Sequence, residues 1–289
     1  MENVFGQIWL VEEAFGVRMM EAFVARSMSG KEGFPIRKLN EVVRMMTARE
    51  DTYGAADLRS LGGPLSPSRG TAGLVAVIPV RGVMTRYGEA CSAGDEWIAQ
   101  QIEIANGNEN VVGMVLKIDS PGGQVSGTKM LASAVKNSPK PIVSNVTEKC
   151  ASKALWVASA GREIHLEDST GMMVGCVGAM TVLVDERAKI EKEGAKPIFI
   201  RSENTPDKNA GNSVEGWSEA DIAQIQAEIT AMGREFEAVL VQNRPAIKAA
   251  ALTGKVFDAK AALKLGLADR VCGLQDSVDR VAFLARKQF

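Results

Sequence analysis

VVGMVLKIDSPGGQVSG, residues 111–127, decides how this chain is read. Val111 to Ile118 is an apolar run of strand length, rich in β-branched residues and with little polar alternation. That pattern suits a strand buried on both faces of a parallel sheet. DSPGG, residues 119–123, follows as a turn, and Met130, Leu131, Ala134 and Val135 mark a helix beyond it. The two glycines allow positive φ and expose backbone N–H groups where a helix is expected to begin. Such N–H groups suit an oxyanion, and they equally suit a tight βα turn that needs glycine only for steric reasons.

The same alternation runs outward in both directions. LVAVIPVRG (74–82) reads as a strand ending in a turn, and Trp97, Ile98, Ile102 and Ala105 mark a helix. PIVSNV (141–146) is a strand and Ser152 to Ala160 a buried helix of small residues. AKPIFI (195–200) is a further strand, and residues 218–244 form a long helix with Ser218 as N-cap. Strand, turn and helix in repeated succession predict an α/β fold of parallel βαβ units.

Upstream, Ile8, Val11, Phe15, Met19, Ala22 and Phe23 recur at helical spacing, and residues 36–49 read as a second helix. The expected organisation is a helical N-terminal extension (1–51), a Gly/Pro/Ser-rich linker (52–72) and a main domain (73–289). Glu12 and Glu13 interrupt the first apolar run well short of the ~20 residues a membrane span needs, so neither anchor nor signal peptide is expected. The formal net charge of −1 and pI of about 6.1 offer no basic surface, which argues against a nucleic-acid partner. The four cysteines are scattered without a CxxC pair and read as reduced thiols of a cytoplasmic protein. The single histidine, His165, restricts imidazole-based triads and histidine metal sites to one residue; no metal or cofactor is expected.

Chemistry is sought in KCASKALWVAS, residues 149–159. Ser152 opens a helix, where a nucleophile gains from nearby N–H groups; it also suits an N-cap or a close packing contact. Lys153 cannot be its base, because consecutive helical residues point about 100° apart. Lys149, three residues upstream, is a minor candidate. Cys150 as nucleophile would need an imidazole, and His165 lies in a strand of its own, where it is expected to be partly exposed. In RSENTPDKNAG (201–211), Lys208 looks like any surface lysine; a lysine base needs burial or a cationic neighbour to favour its neutral form.

Together these segments resemble the signal peptide peptidase family of serine peptidases, most closely its bacteriophage capsid-maturation branch. VAVIPVRGVM, VVGMVLKIDSPGGQVSG, KCASKALWVASAGREI, GCVGAMTVLVDERAKIEKEGAKPIFIRS, DKNAGNSVEGWSE and LTGKVFDAKAALKLGLADRV follow in the family's order from about Leu74 to Ala285. The resemblance implies the spiral of parallel βαβ units shared with the Clp protease and crotonases. It implies Ser152 as nucleophile, Lys208 as general base, and oxyanion donors from the N–H of Gly122 or Gly123 and of Lys153. It further implies scaffold and capsid proteins as substrates, a homo-oligomer, and action in the host cytoplasm inside an assembling prohead.

Two positions depart from the family pattern. Lys153 stands where the family keeps Gly or Ala, and its side chain is expected to point into solvent beside the cleft. Cys176 stands where a serine often supports the lysine, so Thr170 or Ser120 is expected to help instead.

Overall fold

The structure, a computed structural model, describes residues 9–11, 43–46, 73–88 and 93–287. Its centre is an eight-stranded sheet. β2 (Arg44–Met46), β3 (Leu74–Arg81), β4 (Val111–Ser120), β6 (Ile142–Ala151), β7 (Glu163–Leu166) and β10 (Arg270–Val271) lie side by side in that order. Every pair among them is parallel except β2 with β3. The chain is thus the α/β fold of parallel βαβ units expected from the alternation.

The apolar runs are continuous because both sheet faces are covered. Ala76, Ile78, Met114 and Leu116 belong to the main core, which also takes in α1 (Asp95–Gly107), α2 (Thr128–Lys136) and α3 (Lys153–Ser159). Their neighbours Val75, Val77, Val115 and Val143 pack with Val278 and Val281 of the terminal helix, Leu274–Arg286. One register thus divides alternate side chains between two apolar layers.

Strand β6 is the element that builds the site. Its first half pairs with β7, Val143 opposite Glu163. Its last three residues pair with β8 (Met173–Gly175), Ala151 opposite Gly175. The sheet therefore forks where β6 ends, and Ser152 is the next residue.

Several expectations fail. Trp9–Val11 (β1) and β2 are strands where helical spacing predicts helices. For β2 the cause is tertiary: Val43 and Met45 are buried in the main core, and pairing with β3 outweighs local periodicity. The rest of the N-terminal extension and the 52–72 linker lie outside the described residues. AKPIFI forms no strand, because no strand among the described residues pairs with it; Ile198 and Ile200 are 84% and 91% exposed. His165 is fully buried rather than partly exposed, since Glu163 Oε2 and Ser277 Oγ, each at 2.9 Å, satisfy both ring nitrogens. The long helix holds: it spans Glu219–Asn243 with Ser218 capping the N–H of Asp221. No described helix is long and apolar enough to cross a membrane.

Candidate active site at the end of strand β6

Strand β6 stops at Ala151 and α3 starts at Lys153, so Ser152 alone makes the turn. It does so at φ 52°, ψ −122°, a backbone conformation that costs a side-chain-bearing residue of order 1–3 kcal/mol. Its surroundings hold it there. The Ser152 N–H donates to Gly175 O at 2.7 Å, and the Ser152 carbonyl accepts from Trp156 N at 3.1 Å. α3 is buried along its whole length, and Trp156 stacks on Phe236 of the long helix at 4.8 Å between centroids. Ser152 is itself fully buried, yet among the described residues its hydroxyl has no hydrogen-bond partner. A strained, buried serine with an uncommitted hydroxyl is costly unless that hydroxyl has chemistry to do.

The DSPGG turn comes up beside this elbow through the sheet register, in which Ser120 lies opposite Cys150. The glycines are not at a helix N-terminus as expected. A short strand, β5 (Gly122–Gln124), intervenes, and α2 begins only at Thr128. Met84 holds one edge of β5: its N–H donates to Gly122 O at 2.8 Å, and its carbonyl accepts from Gln124 N at 2.9 Å. A Cβ on Gly123 would sit 1.8 Å from Met84 O, so only glycine fits.

The other edge of β5 carries β1, antiparallel, with Leu10 opposite Gly123 and Val11 opposite Gly122. Because strand groups alternate in direction, the N–H and C=O of Gly123 face that edge. The Gly122 N–H is already taken by Ser120 Oγ at 3.2 Å. Of the two glycines, Gly123 therefore has its N–H on the edge where a peptide strand can lie. The Lys153 N–H belongs to the first turn of α3, where backbone donors lack intrahelical acceptors.

Lys153 corrects the sequence reading most. Its side chain does not point into solvent; it is fully buried. Nζ donates to Asp95 Oδ2 at 2.6 Å, to Gln124 O at 2.7 Å and to Ser126 O at 2.9 Å. Asp95, the first residue of α1, is also fully buried. Burial pushes the Asp95 carboxyl above and the Lys153 ammonium below their ordinary values, and each charge partly restores the other. The apolar spacing that reveals the fold gives no hint of this pair, because the two residues are 58 apart in the chain.

The remaining candidates divide. Cys176, at φ 57°, follows the Gly175 that holds Ser152, so it does lie beside the elbow. The Ser120 hydroxyl is committed to the turn, donating to Gly82 O at 2.6 Å. Thr170 is exposed in the loop between β7 and β8. Cys150 is buried, and burial pushes its thiol up to about 12, which keeps it protonated and inert at neutral pH. Lys149 pairs in register with Met173 near the fork.

Lys208 lies in an exposed loop, and among the described residues it makes no hydrogen bond to the Ser152 hydroxyl. That loop is tied around Arg201, whose guanidinium donates to the carbonyls of Lys208 (2.7 Å) and Asn209 (3.2 Å) and pairs with Glu215. The arm thus leaves Lys208 exposed, as it does Ile198, Phe199 and Ile200.

Comparison with known proteins agrees with this architecture. The chain is 27% identical over 96% of its length to the head-tail preconnector protein GP5 of Enterobacteria phage P21. It is 21% identical over 74% of its length to Protease 4 of Haemophilus influenzae. It spans 56% and 35% of those two proteins respectively. Residues 134–287, more than half of the chain, match the profile of peptidase family S49.

Proposed function

The chain belongs to peptidase family S49, and on that premise we propose that it is a serine endopeptidase with Ser152 as nucleophile and Lys208 as general base. The observation that carries the reading is the Ser152 elbow: a buried serine at positive φ whose hydroxyl has no partner among the described residues. In the proposed reaction neutral Lys208 takes the Ser152 proton as Oγ attacks a peptide carbonyl. The N–H groups of Gly123 and Lys153 receive the oxyanion. The proton then passes to the leaving amine, and water, deprotonated by the same lysine, releases the acyl group from Ser152. Cys176, next to the Gly175 that holds Ser152, would assist from beside the elbow.

Substrate would bind as an extended strand along β5, where β1 of the same chain lies in this structure. Peptide and β1 then compete for one edge.

The arm carrying Lys208 supports completion of the dyad between copies in a homo-oligomer. The base sits on an exposed, apolar-flanked loop while the nucleophile is buried. Similarity to a phage head-tail preconnector protein favours a role in head assembly. The substrates would then be scaffold and capsid proteins, cut inside the assembling prohead in the host cytoplasm. Similarity to Protease 4 supports a second reading, a cytoplasmic enzyme that degrades peptides.

The test is co-expression with scaffold and capsid proteins followed by mass spectrometry. Wild type is expected to yield defined fragments and Ser152→Ala none. Equal processing by both would refute the nucleophile. Cleavage of unrelated peptides, with scaffold and capsid left intact, would support the second reading. No hydrolysis of any substrate would leave an inactive assembly protein.

A further inference from the structure

An oxyanion hole works only if both donors point at one place, each about 2.7–3.1 Å from the developing charge. Here the proposed donors belong to two short elements far apart in sequence. Gly123 lies in the three-residue strand β5, and Lys153 opens the seven-residue helix α3. Neither element is long enough to set the spacing between them by itself.

The Lys153 side chain spans that gap. The residue that supplies one donor reaches back to the carbonyls of Gln124, directly after the other donor, and of Ser126. Its third bond goes to Asp95, so all three ammonium donors are used. Asp95 is held in turn: its N–H donates to Thr85 O at 2.9 Å, one residue beyond the Met84 that grips β5. The path Met84, Thr85, Asp95, Lys153, Gln124 is therefore a closed ring around the end of β5. Gly127 leaves room for it, since a Cβ there would lie 2.2 Å from Asp95 Oδ2.

We propose that the Lys153 side chain is a positioning residue, a clamp that fixes the β5 donor against the α3 donor and so sets the turnover rate of Ser152. The proposal rests on the Ser152 reading above. A buried ion pair is a poor device for stability alone, because an apolar pair of similar volume commonly holds a fold as well or better. What an apolar pair lacks is the directional grip on two carbonyls.

The experiment compares Lys153→Met, Lys153→Met with Asp95→Leu, and Asp95→Asn, using an internally quenched peptide with Ala-Ala-Leu before the cut and labelled casein. Thermal melting runs alongside. The apolar double variant is expected to melt near wild type yet lose roughly 30–100-fold in kcat with KM within about threefold. A donor displaced from the oxyanion is felt only in the transition state. Asp95→Asn keeps the shape and both carbonyl bonds, and is expected to lose about fivefold in kcat at unchanged KM.

A double variant with wild-type melting and wild-type kcat would overturn the clamp while leaving Ser152 in place. If neither methionine variant folds, Asp95→Asn decides: a change confined to KM, or no change at all, overturns it. Hydrolysis by wild type that persists in Ser152→Ala, or no hydrolysis by wild type of either substrate, sinks the Ser152 reading and the clamp together.

Discussion

The elbow at residues 149–159 and the arm at 195–216 carry the two halves of the proposed dyad, and they are built in opposite ways. The elbow is over-determined: a fork in the sheet, a buried helix, a stacked tryptophan and a buried ion pair hold one strained serine. The arm is tied mainly to itself, through the Arg201 guanidinium, and leaves three large apolar side chains in the open. Strain can be stored only where the surroundings resist relaxation, so a nucleophile belongs in the first region. Under the proposed completion of the dyad between copies, the group that reaches the other copy belongs in the second.

The largest effect should come from the elbow. Ser152→Ala and Ser152→Gly are expected to lower turnover by about 10³-fold or more, in line with loss of a nucleophile. The glycine variant should also be more stable by roughly 1 kcal/mol, read as a higher melting temperature, because glycine adopts φ 52° without the side-chain penalty. A glycine variant that melts lower would mean the elbow is not strained.

Lys208→Ala should cost about 10²–10⁴-fold in turnover, the range for a general base. Its melting temperature should stay near wild type, since the side chain is exposed. Mixing inactive Ser152→Ala with inactive Lys208→Ala sharpens the contrast. Recovered activity means that base and nucleophile come from different copies, and no recovery means that they meet within one.

Ile198→Glu with Ile200→Glu is expected to shift the chain to a smaller species in light scattering and to reduce activity by about tenfold or more. Charges are poorly tolerated in the core of an interface. An unchanged mass would show that the arm's apolar face does not hold copies together.

The smallest effect concerns the strand seated on β5. Removing residues 1–11 should lower KM for peptides by about three- to tenfold, with kcat nearly constant, because a tethered strand competes at high effective concentration. A higher KM would mean that β1 helps to build the groove.

How much of this was legible depends on the range of the interaction concerned. Val111–Ile118 and Ile142–Val146 announce buried parallel strands because strand burial writes itself into consecutive residues. Ser218 announces its helix because a cap acts over three residues. AKPIFI has the composition of a strand and fails to be one, because a strand also needs a neighbour. Arg44–Met46 shows the converse, a helical spacing overridden by the strand beside it.

By itself the sequence determined the parallel βαβ succession, the order of motifs shared with a peptidase family, and Ser152 and the Gly122–Gly123 turn as the places to look. Only the tertiary structure decided that Ser152 takes a positive φ with an uncommitted hydroxyl and that Gly123, not Gly122, faces the edge of β5 on which β1 lies. It also showed that Lys153 is sealed inside against Asp95 and that Lys208 is exposed with no hydrogen bond to Ser152. Backbone strain, edge direction and the pairing of buried charges all depend on partners supplied by distant segments, and no local pattern of residues records which segments will meet.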